Sequence, residues 1–360
     1  MFEFEFSPMD LESSLPSVGW LCTYTPEEII YAAGFHPFRL KQNPPSIKMA
    51  DAYLHSNLCP YVRSCLESGL RSEYPQLKGI VLVNSCDAMR SLYHVWRRYL
   101  SSSSFVHLMH LPRITSCSAV EFFKKEIQKL IEFLETQSGR EIEESQIVEA
   151  VDVFNESRDL MQELLELKKD PCFPLTGSTV YRIVEAGQKA PKRVFNTKLK
   201  ELIEEIKKQR SDSNPFGGPR IMISGSLLPN HQMIEIIESA GARVVCDDLC
   251  YGSRYFEGNV AKTDDLLMAI STHYLKKAPC ARMKQTDFRL ERAGRLAEAY
   301  RVDGVIYIIL KFCDNHHYDF PFYREYFQAR DIPVLQIEED FLGGNTGQMR
   351  TRVEAFIEML

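Results

Sequence analysis

Val244–Phe256, VVCDDLCYGSRYF, runs an apolar strand into two acids, two cysteines and a Gly-Ser-Arg turn. Cysteines four apart, just past a buried strand in a chain with no secretion signal, point to a metal or redox site rather than a disulfide. Cys59, Cys86, Cys280 and Cys313 also sit beside a proline or an aspartate, at what read as strand ends or loop starts. Whether these positions converge depends on the fold.

Working outward, the strand Arg220–Ser224 meets a Gly-Ser-Leu-Leu-Pro loop, then the helix NHQMIEIIESAG and the strand Arg243–Cys246. The beginning of the chain follows the same scheme: a strand Trp20–Thr23, the helix PEEIIYAAG closed by Gly34, and extended chain from His36 to Leu40. Lys78-Gly79 leads the apolar run Ile80–Val83 into Cys86-Asp87, and Asp303-Gly304 leads Val305–Leu310 into Cys313-Asp314. Cys59-Pro60 and Cys280 each stand ahead of a helix. We read a diverged internal duplication, each copy offering one cysteine at a helix start and one after a strand. Parallel α/β sheets bind ligands off the carboxyl ends of their strands, where such cysteines would lie.

The expected fold is therefore α/β, with two Rossmann-like parallel-sheet domains. Residues 1–117 form the first, with an N-terminal arm over 1–19; 118–214 form a helical connecting segment with 3.6-residue periodicity; 215–360 form the second. Ser211–Pro219 reads as the linker. A last strand, Pro333–Ile337, precedes Glu338-Glu339-Asp340, a Gly-Gly-Asn-Thr-Gly loop and a terminal helix.

Length and composition narrow the function. A chain of 360 residues exceeds one comfortable core, and 44% hydrophobic with 26% charged residues is ordinary for a globular protein. A net charge of -6 without a dense basic run argues against a nucleic-acid surface. No apolar run approaches the roughly 18 residues of a membrane span, and no leader is visible, so the expected location is the cytoplasm. Ten cysteines would there stay reduced, as metal ligands or small core residues.

Thiolates select zinc, copper or iron–sulfur clusters. Structural zinc draws on CxxC pairs, of which this chain has none, so scattered cysteines fit a cluster in a cleft better. Cys65, Cys117 and Cys172 read as core residues; Cys59, Cys86 and Cys313 read as ligands; Cys246, Cys250 and Cys280 lie between, and Cys22 stays open. Arg63 and Arg254 either offset thiolate charge or lie on the surface. The loop ISGSLLPN is a phosphate cradle or a plain βα turn, and without GxxxxGK[ST] the chain is not expected to hydrolyse ATP. His316-His317, Asp247-Asp248 and Glu338-Glu339-Asp340 are either proton-transfer groups or structural caps.

Together YTPEEIIYAAGFHPFRL, LCPYVRSCL, NSCDAMRSLYHVW, DDLCYGSRYF, KFCDNHHYDFPFYREYF, IPVLQIEED and GQMRTRVEAFIEML resemble the 2-hydroxyacyl-CoA dehydratase and benzoyl-CoA reductase family, across almost the whole chain from Val18. The resemblance implies a cluster in the cleft between the two domains. Three cysteines, at positions matching Cys59, Cys86 and Cys313, would hold a 4Fe-4S cluster with one open iron. It implies further an ATP-hydrolysing iron–sulfur activator as electron source, a homodimer or a heterodimer with a homologous subunit, and a ketyl-radical dehydration of a CoA thioester. The double-cubane branch, whose members are homodimers reducing small molecules, uses six cysteines, and Cys246, Cys250 and Cys280 would supply its second set. Those extra cysteines favour a double-cubane reductase over a dehydratase subunit. A non-catalytic electron carrier is the rival of another class.

Overall fold

The computed structural model of the chain describes residues 12–41, 44, 46–74, 77–101, 104–209, 216–341 and 346–360. Most of the 211–219 linker, the 1–11 part of the arm, and residues 342–345 of the glycine-rich loop lie outside them. The first sheet contains β1 (Ser17–Trp20), β2 (His36–Arg39), β3 (Leu77–Val83) and β4 (Phe105–Met109) in the order β2-β1-β3-β4, all parallel. The second contains β5 (Arg220–Gly225), β6 (Arg243–Asp248), β7 (Gly304–Leu310) and β8 (Val334–Glu339) in the order β6-β5-β7-β8, again all parallel. The duplication read from the sequence is thus present as topology. The inner strands β3 and β7 carry near-continuous apolar runs because helices cover both faces, and β7 is buried throughout.

Around the first sheet lie α1 (Glu27–Ala32), α2 (Pro60–Leu70), α3 (Asp87–Tyr99) and α4 (Cys117–Ser138). A helical stretch follows: α5 (Glu144–Leu167), α6 (Gly177–Gly187) and α7 (Lys192–Gln209). Local chemistry sets their limits. Ser116 caps α4 by accepting from the Ala119 N–H, Gly139 ends it at φ 71°, and Glu143 with Gln146 forms a capping box on α5. The second half carries α8 (Gln232–Ser239), α9 (Leu266–Lys276), α10 (Thr286–Ala299), α11 (Asp314–Gln328) and α12 (Thr346–Glu358). A short 3-10 turn forms at Ala50–Ala52, and β4 had no counterpart in the sequence reading.

One core runs across both halves, joining Leu21, Leu40 and Tyr61 to Ile223, Ile308, Leu310 and Phe341. A second lies under the first sheet, between it and α1, α4 and α9, and takes in Val260, Ile270, Leu275 and Met283. The 260–283 segment, placed by the sequence reading in 215–360, therefore packs its apolar side chains with the first sheet. Each sheet changes direction of winding between its two inner strands, β1 and β3 or β5 and β7. A crevice opens at that point off the carboxyl ends.

At the second crevice Gly225 has φ +107°, and a Cβ there would overlap the Ile308 carbonyl. Ser226 then donates its N–H to the same carbonyl at 2.8 Å, while its Oγ accepts from the Leu310 N–H at 2.9 Å. The ISGSLLPN loop is a tie to β7. Gly225→Ala should destabilise the protein by about 3 kcal/mol, through strain and backbone overlap, in urea unfolding curves.

His36 is buried with Nε2 2.7 Å from the Lys189 carbonyl, and burial, only partly offset by that carbonyl, holds its pKa down to about 4. As pH falls below the ordinary imidazole value, the unfolded chain takes a proton that the folded chain refuses, so stability is lost on acidification from neutrality. His36→Gln should remove about 2 kcal/mol of the difference in unfolding free energy between pH 7.5 and pH 5.

Candidate functional site

Cys22 follows β1 and Cys86 follows β3, on either side of the first crevice; Cys313 follows β7 at the second. Cys59, Cys86 and Cys313 are the N-cap residues of α2, α3 and α11, and Pro60 occupies the first helical position after Cys59. A helix start leaves backbone N–H groups free to meet an anionic sulfur. Those of Tyr61 and Val62 point at Cys59, those of Ala88 and Met89 at Cys86, and that of His316 at Cys313. Cys250 lies two residues beyond β6, and Cys280 lies between α9 and α10, its N–H donating to Tyr24 Oη at 3.1 Å.

Six cysteines gather where the carboxyl ends of the two sheets meet. Cys59, Cys86 and Cys313 each lie within electrostatic reach of the other two, and so do Cys22, Cys250 and Cys280. Three further couplings, Cys59 with Cys250, Cys86 with Cys280 and Cys313 with Cys280, connect the two triangles. Burial pushes Cys59 up to about 12 and Cys280 to about 11, and raises Cys22, Cys86 and Cys313 as well. Without a positive centre these thiols stay protonated; a metal would exchange for their protons.

The cations around them fit an anionic guest. Arg39 is buried, donates from Nη1 to the Cys250 carbonyl at 2.9 Å, and directs Nη2 at Cys250 Sγ at 3.7 Å. Arg254 is buried too, and its charge acts on Cys280 and Cys250. Its Nη1 has no hydrogen-bond partner among the described residues, nor does Arg282 Nε, whose guanidinium acts on Cys86. Orphaned buried donors beside thiols fit an acceptor that thiols alone do not supply. No three Cys, His, Asp or Glu side chains among the described residues close on a single metal ion. A polynuclear cluster, which holds its thiolates farther apart, fits this donor set better than a mononuclear site.

Other expected positions fall elsewhere. Cys246 lies in β6, where the register against β5 shifts between Ile221 and Met222, and it packs with Met222, Leu290, Ala297 and Tyr300 in the core under α10. It is not among the six, and Cys22 is. The sequence reading ended the first strand at Thr23 and left Cys22 open between ligand and core; the strand ends at Trp20, and Cys22 lies beyond it. Arg63 binds Asp51 at 2.8 Å rather than a thiol. Asp247 accepts from the Ser253 N–H at 2.8 Å and serves as a turn cap, while Asp248 receives Arg254 in two bonds of 2.6 Å and also pairs with Arg292. His316 is buried 2.9 Å from Tyr307 Oη, with burial holding its pKa down to about 3, and His317 stands 3.6 Å from Glu338 on the surface. Cys65 is core, bonded to the Leu40 carbonyl at 3.6 Å.

The chain matches, over residues 22–360, the family model described as 2-hydroxyglutaryl-CoA dehydratase, D-component. It belongs to that family. Among its relatives, YjiM of Escherichia coli (strain K12), provisionally named a dehydratase subunit, is 30% identical, with 98% of this chain and 94% of the relative aligned. The (R)-phenyllactyl-CoA dehydratase beta subunit of Clostridium sporogenes is 24% identical, covering 96% and 91%. A benzoyl-CoA reductase subunit from Thauera aromatica is 25% identical, covering 95% and 89%. D-component family members thus include dehydratases and a reductase, and several are named as subunits. No helix among the described residues is long and apolar enough to cross a membrane.

Burial opposes ionisation of Asp248, yet its two guanidinium partners more than offset this and hold the carboxyl well below its usual range. Asp248→Asn should lower unfolding free energy by about 3–5 kcal/mol, because Arg254 would stay buried without its counter-charge. Urea denaturation of the purified protein measures it.

Proposed function

We propose that this chain is an oxygen-sensitive iron–sulfur reductase of small molecules, supplied with low-potential electrons by an ATP-hydrolysing iron–sulfur activator. Its double cubane would be held in two sets, Cys59 with Cys86 and Cys313, and Cys22 with Cys250 and Cys280. The observation that carries this reading is the arrangement of six cysteines as two closed triangles facing each other. Cys22 takes the place that the sequence reading gave to Cys246. Such a cluster, when bound, supplies low-potential one-electron chemistry at thiolate-held iron.

The chain's own residues exclude water from that chemistry and hold the thiols in place. Tyr61 donates to the Leu40 carbonyl at 2.8 Å and packs its ring 5.7 Å from Phe341 of the other half, which seals the seam beside Cys59. Backbone amides at three helix starts and the Arg39 and Arg254 guanidiniums stabilise anionic sulfur. Lacking a P-loop, the chain takes its driving force from a partner.

A second reading is a subunit of a 2-hydroxyacyl-CoA dehydratase, acting on an (R)-2-hydroxyacyl-CoA beside a homologous subunit. The names of relatives such as the phenyllactyl-CoA and lactoyl-CoA dehydratase beta subunits favour it. There only Cys59, Cys86 and Cys313 would hold a single 4Fe-4S cluster.

Iron and acid-labile sulfide in protein purified without oxygen separate the two. The reductase reading expects about eight irons per chain, falling to about four in Cys22→Ala and in Cys280→Ala, with Cys246→Ala unchanged. About four irons, unmoved by Cys22→Ala, would instead favour the dehydratase subunit.

A further inference from the structure

The two cysteine triangles sit in unlike electrostatic surroundings. Arg39 touches the Cys22/Cys250/Cys280 side. Its guanidinium is sandwiched between the rings of Trp20 at 4.8 Å and Tyr251 at 4.4 Å, and none of its polar contacts is a carboxylate. Nε donates to the Leu21 carbonyl at 3.1 Å, Nη1 to Gln188 Oε1 at 2.5 Å and to the Cys250 carbonyl, and Nη2 to Cys250 Sγ. No carboxylate pairs with Arg39 among the described residues. A wholly buried guanidinium without a counter-charge costs several kcal/mol, and guanidinium does not shed its proton to escape that cost.

Lys277, whose charge reaches Cys22, donates to the Thr23 carbonyl, and burial lowers its pKa to about 7; two other neighbouring cations are offset by carboxylates. Lys41, 4.1 Å over the Tyr251 ring, has Glu185 at 3.3 Å, and Arg254 has Asp248. On the Cys59/Cys86/Cys313 side the sulfurs face mainly backbone amides. The arginine there, Arg282, is half-buried, with Nη1 3.5 Å from Asn315 Oδ1, so solvent weakens its field. One half of the site therefore carries an unscreened positive charge and the other does not.

We infer that the first electron to enter this site settles on the half held by Cys22, Cys250 and Cys280, with Arg39 as the residue that sets this order. The inference rests on the two-set reading above. An electron adds negative charge, and a fixed buried cation beside it lowers its energy. The Cys59/Cys86/Cys313 half is then the one of lower potential, reduced second.

The test is a mediated redox titration of the anaerobically purified holoprotein with Ti(III) citrate, followed by electron paramagnetic resonance. Each step takes one electron from Ti(III), which leaves as Ti(IV), and no bond is made or broken. Arg39→Met should move the first reduction step to more negative potential while shifting the second less, and Arg39→Lys should stay near wild type. Gln188→Glu tests the same point without deleting the arginine: it places a carboxylate on Arg39 Nη1 with nearly the same shape, and should move the first step in the same direction. It also keeps the test standing if Arg39→Met fails to fold. Equal movement of both steps, movement of the second step alone, or no movement in Gln188→Glu would overturn the assignment. Iron is counted on the same samples. About eight irons in wild type with unmoved potentials sinks this inference alone, whereas about four irons in wild type sinks the two-set reading on which it rests.

Discussion

A thiol buried in a protein keeps its proton, and a guanidinium buried beside it keeps its charge. The seam between the two sheets contains both: burial raises the thiols of Cys22, Cys59, Cys86, Cys280 and Cys313, and Arg39 lies among them against the sulfur of Cys250. Neither group is comfortable there alone: the thiols lack a reason to ionise, and the cation lacks an anion. A guest that binds thiolates and carries net negative charge resolves both at once. Much of the surrounding architecture, from the Trp20 and Tyr251 rings on Arg39 to the helix starts at Cys59, Cys86 and Cys313, follows from keeping that seam dry and its donors aimed inward.

The supporting ion pairs lie one layer back. Asp248 closes β6 and binds Arg254 and Arg292, and Glu257 pairs with Arg292 as well, so the loop carrying Cys250 and Tyr251 is held by two guanidiniums and two carboxylates whose charges cancel. Arg289 pairs with Asp319 on α11, and Tyr307 lies between that carboxylate and His316, behind Cys313. Neutralised outer pairs position the loops; the uncompensated charge is reserved for the inner contact. Arg39 is therefore set apart from the other buried arginines by what it lacks.

The alternation of strand and helix, and the matching runs into Cys86-Asp87 and Cys313-Asp314, made the parallel α/β architecture and its duplication legible in the sequence. Helix starts at Cys59, Cys86 and Cys313 were legible too, because proline and aspartate after a cysteine mark a first turn by local chemistry. What escaped depended on boundaries and distant partners. A strand end misplaced by three residues left Cys22 undecided, and a register shift in β6, invisible in one chain's pattern, turned Cys246 toward α10. Arg39 drew no separate reading within the extended stretch from His36 to Leu40, since its neighbours Gln188 and Cys250 come from 149 and 211 positions away. The crossing of residues 260–283 to the first sheet escaped for the same reason: an amphipathic helix announces that it has an apolar face, not which sheet will cover it.

The duplication does not hand one triangle to each half. Cys59 and Cys86 come from the first half and join Cys313 of the second; Cys250 and Cys280 come from the second and join Cys22 of the first. Each triangle is thus incomplete until the halves dock, and the shared core of Leu40, Tyr61, Leu310 and Phe341 forms at the same seam. Folding of the seam and assembly of the thiol site are therefore one event in energetic terms, because whatever binds across either triangle also ties the two sheets together. An α/β unit that needed its cysteines only for packing would have no reason to distribute them across both sheets in this way.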